Sequence, residues 1–223
     1  TMILLDKADT LLDLYASIYS ELPGVLGRAN LIAQGSHNKR VYPYQAAYLY
    51  HLCKQTPPDA NMLELGTYYG YTTAIMALSS PDARITTLEP GLGYPDAVRN
   101  LAGFKNVECL CVKSMDYLGL YSWIMPSGVF DLIFVDGDHN KIGRDLHWWN
   151  LLKTGGIILF HDYSPAESNR PCQIVFDTLN RFATWLRAPD ELIQDENGVG
   201  MVAWKKRYDD PEYHGDLDAP AAP

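Results

Sequence analysis

The sequence predicts an α/β chain wound about a doubly wound, mostly parallel sheet, and three observations predict it. A strand, a glycine turn and a helix follow one another over residues 61–78. Short β-prone runs recur at 84–88, 107–112, 129–135 and 157–160 with helical stretches between them, the alternation that makes strands run parallel. Two of these runs deliver polar clusters, Asp136-Gly137-Asp138-His139 and His161-Asp162-Tyr163, at the carboxyl ends of strands, where such sheets bind ligands.

The 223 residues suffice for one large α/β domain, which buries about 70% of the surface its unfolded chain exposes. The formal net charge is -9, and the basic residues are scattered apart from Lys205, Lys206 and Arg207. A groove that tracks phosphates needs a basic stripe, so a small molecule is the expected partner and nucleic acid is not. Four cysteines, Cys53, Cys109, Cys111 and Cys172, show no Cys-x-x-Cys spacing and read as reduced, buried thiols of a cytoplasmic protein. Cys109 and Cys111 share one face of a strand, which suits packing. No apolar run approaches the roughly 20 residues of a membrane span, and no basic segment followed by an apolar core opens the sequence, so neither a membrane nor secretion is expected.

In residues 1–22, Leu11, Tyr15, Ile18 and Leu22 recur at helical spacing, which predicts an amphipathic helix packed outside the sheet or against another copy of the chain, as in a homodimer. Pro23-Gly24 ends it, and residues 25–41 read as a loop. Pro43 suits the first position of the next helix, whose apolar face carries Tyr44, Tyr48, Leu49, Leu52 and Cys53 before Pro57-Pro58. Met62, Leu63 and Leu65 then form a buried strand with Glu64 inside it; Gly66 reverses the backbone and Gly70 releases it into a helix. A dinucleotide fold wants Gly-x-Gly-x-x-Gly here, so that pyrophosphate lies on bare backbone. Thr67, Tyr68 and Tyr69 stand there instead, and two tyrosines above a carboxylate favour a cofactor with a cationic amino acid end, such as S-adenosylmethionine. The alternative is a strand, turn and helix with no ligand.

Arg84 to Leu88 ends in Glu89, about 25 residues beyond Glu64, where an acid accepts hydrogen bonds from both ribose hydroxyls or is a solvated turn carboxylate. Val107 to Val112 leads to Ser114, Met115 and Asp116, a candidate helix start. After the strand 129–135, a helix is expected with Ile142, Leu146, Trp149 and Leu152 on its inner face and Trp148 beside them. Gly155-Gly156 reads as the turn into the strand Ile157 to Phe160, Pro165 to Pro171 as a loop, and Cys172 to Leu186 as a helix with Ile174, Phe176, Leu179 and Phe182 apolar. Arg170, in that loop, is either a contact for an anionic substrate or a surface charge. Leu192-Ile193 and Val199 to Trp204 read as a hairpin closed by Asn197-Gly198. From Tyr208 onward the chain is rich in Asp, Pro and Ala and reads as a disordered tail.

The run Glu64-Leu65-Gly66-Thr67-Tyr68-Tyr69-Gly70-Tyr71-Thr72 resembles the first motif of class I S-adenosylmethionine-dependent methyltransferases, and is especially similar to catechol O-methyltransferase and its relatives. The succession of strand, Asp136-Gly137-Asp138-His139, helix, strand and His161-Asp162-Tyr163 resembles the family of bacterial sugar and antibiotic O-methyltransferases, the methyltransferase domain family 24 type. The resemblance covers residues 43–204. It implies a Rossmann-like, seven-stranded sheet, mostly parallel with a C-terminal antiparallel hairpin and with helices on both faces. The division it suggests is a cap over residues 1–42, a methyltransferase domain over 43–207 and an acidic tail over 208–223. It further implies O-methylation of a hydroxyl on a small molecule: a sugar, phenol or natural product.

By position, the resemblance implies that Glu64, Gly66, Tyr68 and Gly70 hold the methionine side of S-adenosylmethionine, Glu89 its ribose, and Ser114 and Met115 its adenine, with Asp136 beside the cofactor and Tyr44 and Gln45 covering its methionine end. Many relatives bind a divalent cation at the positions of Asp136, His161 and Asp162. They carry Asp-Asp or Asp-Asn where this chain has His161-Asp162, and imidazole suits zinc, iron or manganese better than magnesium. His139 stands where catechol O-methyltransferase carries its lysine base. An imidazole titrates near neutral pH, so His139 is a base, a ligand or the cap of the next helix, with Asp136 and His161 sharing the catalytic assignment. The remaining alternatives are an NAD-type oxidoreductase, an iron-dependent hydroxylase using the same three positions, and a cofactor-binding subunit without turnover.

Overall fold

The computed structural model describes residues 41–124, 128–165, 170–195 and 198–215. The expected amino-terminal helix over residues 1–22 lies outside them. The fold is the doubly wound, Rossmann-like one: a seven-stranded sheet, parallel except at its C-terminal hairpin. The chain divides into two compact units that meet between Lys113 and Ser114 in sequence.

In the first unit, helix α1 (Pro43–Lys54) opens on Pro43 with Tyr42 as its cap; the Tyr42 amide donates to Gln45 Oε1 at 2.8 Å. Ala46, Ala47, Tyr48, Leu49, Leu52 and Cys53 are buried, while His51 and Lys54 face water. Strand β1 (Asn61–Leu65) pairs in parallel with β2 (Arg84–Leu88), and β2 with β3 (Val107–Leu110). Helix α2 (Tyr71–Ser79) follows β1 and α3 (Tyr94–Leu101) follows β2. Gly70 caps α2 at φ 88°, a left-handed conformation that glycine adopts freely. A Cβ there would also collide with Leu101 Cγ at 2.8 Å.

In the second unit the strand order is β4-β5-β7-β6. Helix α4 (Ser114–Ile124) leads to β4 (Phe130–Val135), whose partner β5 runs from Leu152 to Tyr163. Strand β5 is longer than expected because Gly155 and Gly156 lie inside it. Gly155 takes φ 85°, and an added Cβ at Gly156 would sit 3.0 Å from the carbonyls of Phe130, Asp131 and Lys153. The pairing of β4 with β5 shifts register between Phe130 and Leu132. Gly155 therefore supplies the left-handed backbone of an irregularity and Gly156 lets the two strands pass closely there, inside the strand rather than before it. The single helix expected before β5 is a string of short turns: 3₁₀ over His139–Lys141, the helix α5 over Ile142–Asp145, and 3₁₀ again over Leu146–Leu151. Its tryptophans, Trp148 and Trp149, are fully buried, as core residues should be.

Helix α6 (Arg170–Trp185) precedes the antiparallel hairpin of β6 (Glu191–Gln194) and β7 (Gly200–Lys205). The tail expected from residue 208 is corrected as far as Gly215. Tyr213 is 2% exposed, with its ring against His147, Phe182 and Trp185. Its amide donates to Asn150 Oδ1 at 2.7 Å, its carbonyl accepts from Asn150 Nδ2 at 2.9 Å, and the Pro211 carbonyl accepts from Trp149 Nε1 at 3.1 Å. One tyrosine delivered to an aromatic cluster outweighs the polar residues around it.

Candidate active site

Strands β1 and β2 bring Glu64 and Glu89 to their carboxyl ends, with the turn 66–70 between β1 and α2. Three residues of that turn adopt positive φ: Gly66 at 95°, Tyr68 at 50° and Gly70 at 88°. The turn is tied to β2 at several points. The Gly66 and Thr67 amides both donate to the Leu88 carbonyl, at 3.0 and 3.2 Å. The Tyr68 amide donates to Glu89 Oε2 at 2.7 Å, while Glu89 Oε1 accepts from the Gly91 amide at 2.7 Å. Glu89 thus holds the turn and its own loop with one oxygen each, and a carboxylate's roughly four lone-pair sites still leave acceptors for ribose hydroxyls. The Tyr68 side chain stays 42% exposed at the mouth of the turn.

Glu64 lies deeper and is fully buried. Its Oε2 accepts from the hydroxyls of Thr73 and Thr87. Thr87 is in turn hydrogen-bonded to Thr67, Oγ1 to Oγ1 at 2.5 Å. Thr67 was noted in the sequence only as a residue of the turn, and Thr73 and Thr87 were not singled out, although Thr87 pairs with Glu64 in the register of β1 and β2. Gln45 is buried as well, and its Oε1 serves the start of α1. Among the cysteines, Cys53 and Cys172 are buried as expected, but Cys109 is half-buried and Cys111 exposed, because β3 ends the strand order. Burial pushes the Cys53 thiol up to about 12 and that of Cys109 up to about 11.

In the second unit, Ser114 opens α4 and its hydroxyl is engaged within the protein: it donates to Asp145 and accepts from Trp148 Nε1 at 2.9 Å. Besides its expected roles at the adenine and at the helix start, the side chain ties α4 to the segment before β5. Met115 is half-buried in the first turn of α4.

The remaining predicted residues converge at the ends of β4 and β5. Asp136 follows β4, His161 and Asp162 belong to the last residues of β5, and His139 opens the 3₁₀ turn after β4, where Asp138 rather than His139 is the cap. Asp162 is held at φ 56°, an uncommon left-handed conformation for a residue with a side chain. It presents Oδ2 to His139 Nε2 at 2.8 Å and Oδ1 to His161 Nδ1 at 3.4 Å. His161 Nδ1 also meets Asp136 Oδ1 at 3.1 Å. Burial disfavours a charged imidazole, but the carboxylates of Asp136 and Asp162 outweigh it and push His161 up to about 10. Burial likewise opposes ionisation of Asp162, yet hydrogen bonds from His139 and His161 hold it well below the usual carboxylate range. Burial, then the nearby Asp162 and Asp136, push the Cys172 thiol up to about 12.

Asp136, His161 and Asp162 each offer one donor atom, and these atoms lie within 4.8 Å of one another. Two carboxylate oxygens and one imidazole nitrogen at that separation fit a divalent cation, and the nitrogen favours manganese, iron or zinc over magnesium.

Residues 63–163 match the model of a protein family described as a methyltransferase domain. Solved structures with the same fold include the O-methyltransferase from Bacillus cereus in complex with SAH, 21% identical with a TM-score of 0.63, covering 85% of this chain and 97% of that one. They also include TomG, the O-methyltransferase of tomaymycin synthesis from Streptomyces achromogenes in complex with SAM: 22% identical, TM-score 0.63, covering 82% of this chain and 90% of that one. A third is the SAH-bound methyltransferase PaMTH1 from Podospora anserina, 16% identical with a TM-score of 0.65, covering 82% and 87%. Likeness at this level establishes the fold. No helix among the described residues is long and apolar enough to cross a membrane.

Proposed function

We propose that this chain, whose residues 63–163 match a methyltransferase domain model, transfers the methyl group of S-adenosylmethionine to a hydroxyl of a small molecule. The observation that carries the proposal is the pair His139 Nε2 and Asp162 Oδ2, 2.8 Å apart at the strand ends. In a methyl transfer from a sulfonium the acceptor oxygen bonds to the methyl carbon as the carbon–sulfur bond breaks, and the acceptor's proton must leave. The protein contributes alignment and a base. With its Nε2 proton directed at Asp162, His139 presents Nδ1 as the lone pair that takes the proton. Asp162 fixes that tautomer and steadies the imidazolium that results.

On the cofactor side, Glu64, Gly66, Tyr68 and Gly70 shape the place of the methionine part, Glu89 receives the ribose, and Ser114 and Met115 serve the adenine. Here Ser114 acts through backbone, since its hydroxyl is engaged elsewhere. Asp136, His161 and Asp162 are the residues that would hold a divalent cation, which when bound would act as a Lewis acid toward the acceptor oxygen. The net charge of -9 supports a small acceptor, a sugar, phenol or natural product, rather than a nucleic acid. The methyltransferase domain over residues 43–207, a homodimer and a cytoplasmic location belong to the same reading.

Calorimetric titration with S-adenosylmethionine and with NAD tests it. Binding of S-adenosylmethionine alone is expected; heat from NAD with none from S-adenosylmethionine would overturn the assignment.

A further inference from the structure

Glu64 is the acid nearest the glycine turn in sequence, yet its carboxylate is fully buried and spends Oε2 on two threonine hydroxyls, Thr73 of α2 and Thr87 of β2. A hydroxyl has one proton, and an ionised carboxylate only accepts. Thr87 therefore gives its proton to Glu64, and the 2.5 Å contact between Thr87 and Thr67 must run the other way, with Thr67 donating to Thr87. The hydrogen bonds form a directed chain from Thr67 through Thr87 to Glu64. Thr67, 2% exposed, sits between Gly66 and Tyr68, two positive-φ residues. Its carbonyl accepts from the Gly70 amide at 2.8 Å, which closes the turn.

We infer that Thr67 and Thr87 are positioning residues for the cofactor, and that Glu64 acts on the turn through them rather than by touching the ligand. The inference rests on the S-adenosylmethionine reading of this turn. Glu64 supplies an acceptor inside the sheet, Thr87 turns that acceptor toward the next strand position, and Thr67 converts it into a fixed side-chain conformation in a turn that glycine alone would leave soft. A hydrogen bond that ends on a charged group in a buried site is stronger than a neutral one, so the chain is suited to holding residues 66–70 in one shape before the cofactor arrives.

The test is calorimetric titration of the full chain with S-adenosylmethionine, comparing the wild type with Thr67→Val, Thr67→Ser and Thr87→Val, with melting temperatures recorded alongside. Thr67→Val is the decisive variant, because it leaves both hydroxyls on Glu64 in place and removes the link from Thr87 to the turn. The expected result is that Thr67→Val and Thr87→Val each weaken binding about tenfold or more, that Thr67→Ser restores it, and that KM for S-adenosylmethionine rises in turnover assays while KM for the acceptor does not. Wild-type affinity in a folded Thr67→Val protein would overturn the inference. No binding by the wild type would instead remove the reading on which it rests.

Discussion

His139 Nε2 and Asp162 Oδ2 face each other at 2.8 Å, with side chains 19% and 25% exposed, although one residue follows β4 and the other is the last but one of β5. The left-handed backbone of Asp162 aims its carboxylate at two imidazoles at once. The arrangement commits one oxygen of Asp162 to His139 and the other to His161.

Replacing His139 by Gln tests its proposed part as base while keeping a donor toward Asp162. We expect kcat to fall by about a hundredfold to ten-thousandfold with the affinity for S-adenosylmethionine unchanged. Single-turnover methyl transfer alongside calorimetry measures both, and unchanged turnover would exclude His139 as the base.

The proton on His161 must leave before its nitrogen binds a cation. Since His161 titrates at about 10 in the cation-free protein, manganese or zinc affinity should rise by up to about tenfold per pH unit across the neutral range. Titrations of the cation at several pH values, with His161→Ala as control, check this; a flat profile would remove His161 from the ligand set.

The same proton links stability to pH. An unfolded imidazole loses its proton near 6.5, while the folded one keeps it to about 10. Folding therefore gains from this group fully below the lower value, progressively less between the two, and nothing above the upper. Thermal melts of the chelated protein should show stability declining as pH rises through that window, and the decline should shrink in His161→Asn.

Gly93 approaches the Tyr68 carbonyl so closely that an added Cβ would stand 2.6 Å from it. Gly93→Ala must displace the backbone of the glycine turn, at a cost of about 1–3 kcal/mol. Urea unfolding should report that loss, and a full-stability Gly93→Ala protein would show the turn to be softer than described.

Much of this site was legible because each polar cluster follows a strongly apolar run. The run at 129–135 marks β4, and its abrupt end places Asp136 and His139 at a strand terminus. Sequence spacing says which strand end a residue occupies but not which side chain it faces, so the split of Asp162 between two histidines was not visible. The engagement of Ser114 with Asp145 and Trp148 was hidden for the same reason, since both partners lie far along the chain. Gly155-Gly156 misled because glycine serves tight turns and close strand passages alike. Tyr213 was missed because composition averages over a segment, whereas burial is decided residue by residue.

The fastening of residues 206–213 onto Trp149 and Asn150 bears on biosynthesis. Lys206 Nζ donates to the Trp149 carbonyl at 2.8 Å, and Tyr213 closes the aromatic cluster around Phe182. A chain emerging in order from the ribosome presents Trp149 and Phe182 well before Tyr213 exists to cover them. The β4-β5-β7-β6 unit therefore waits, with an aromatic face open, until residue 213 has been made.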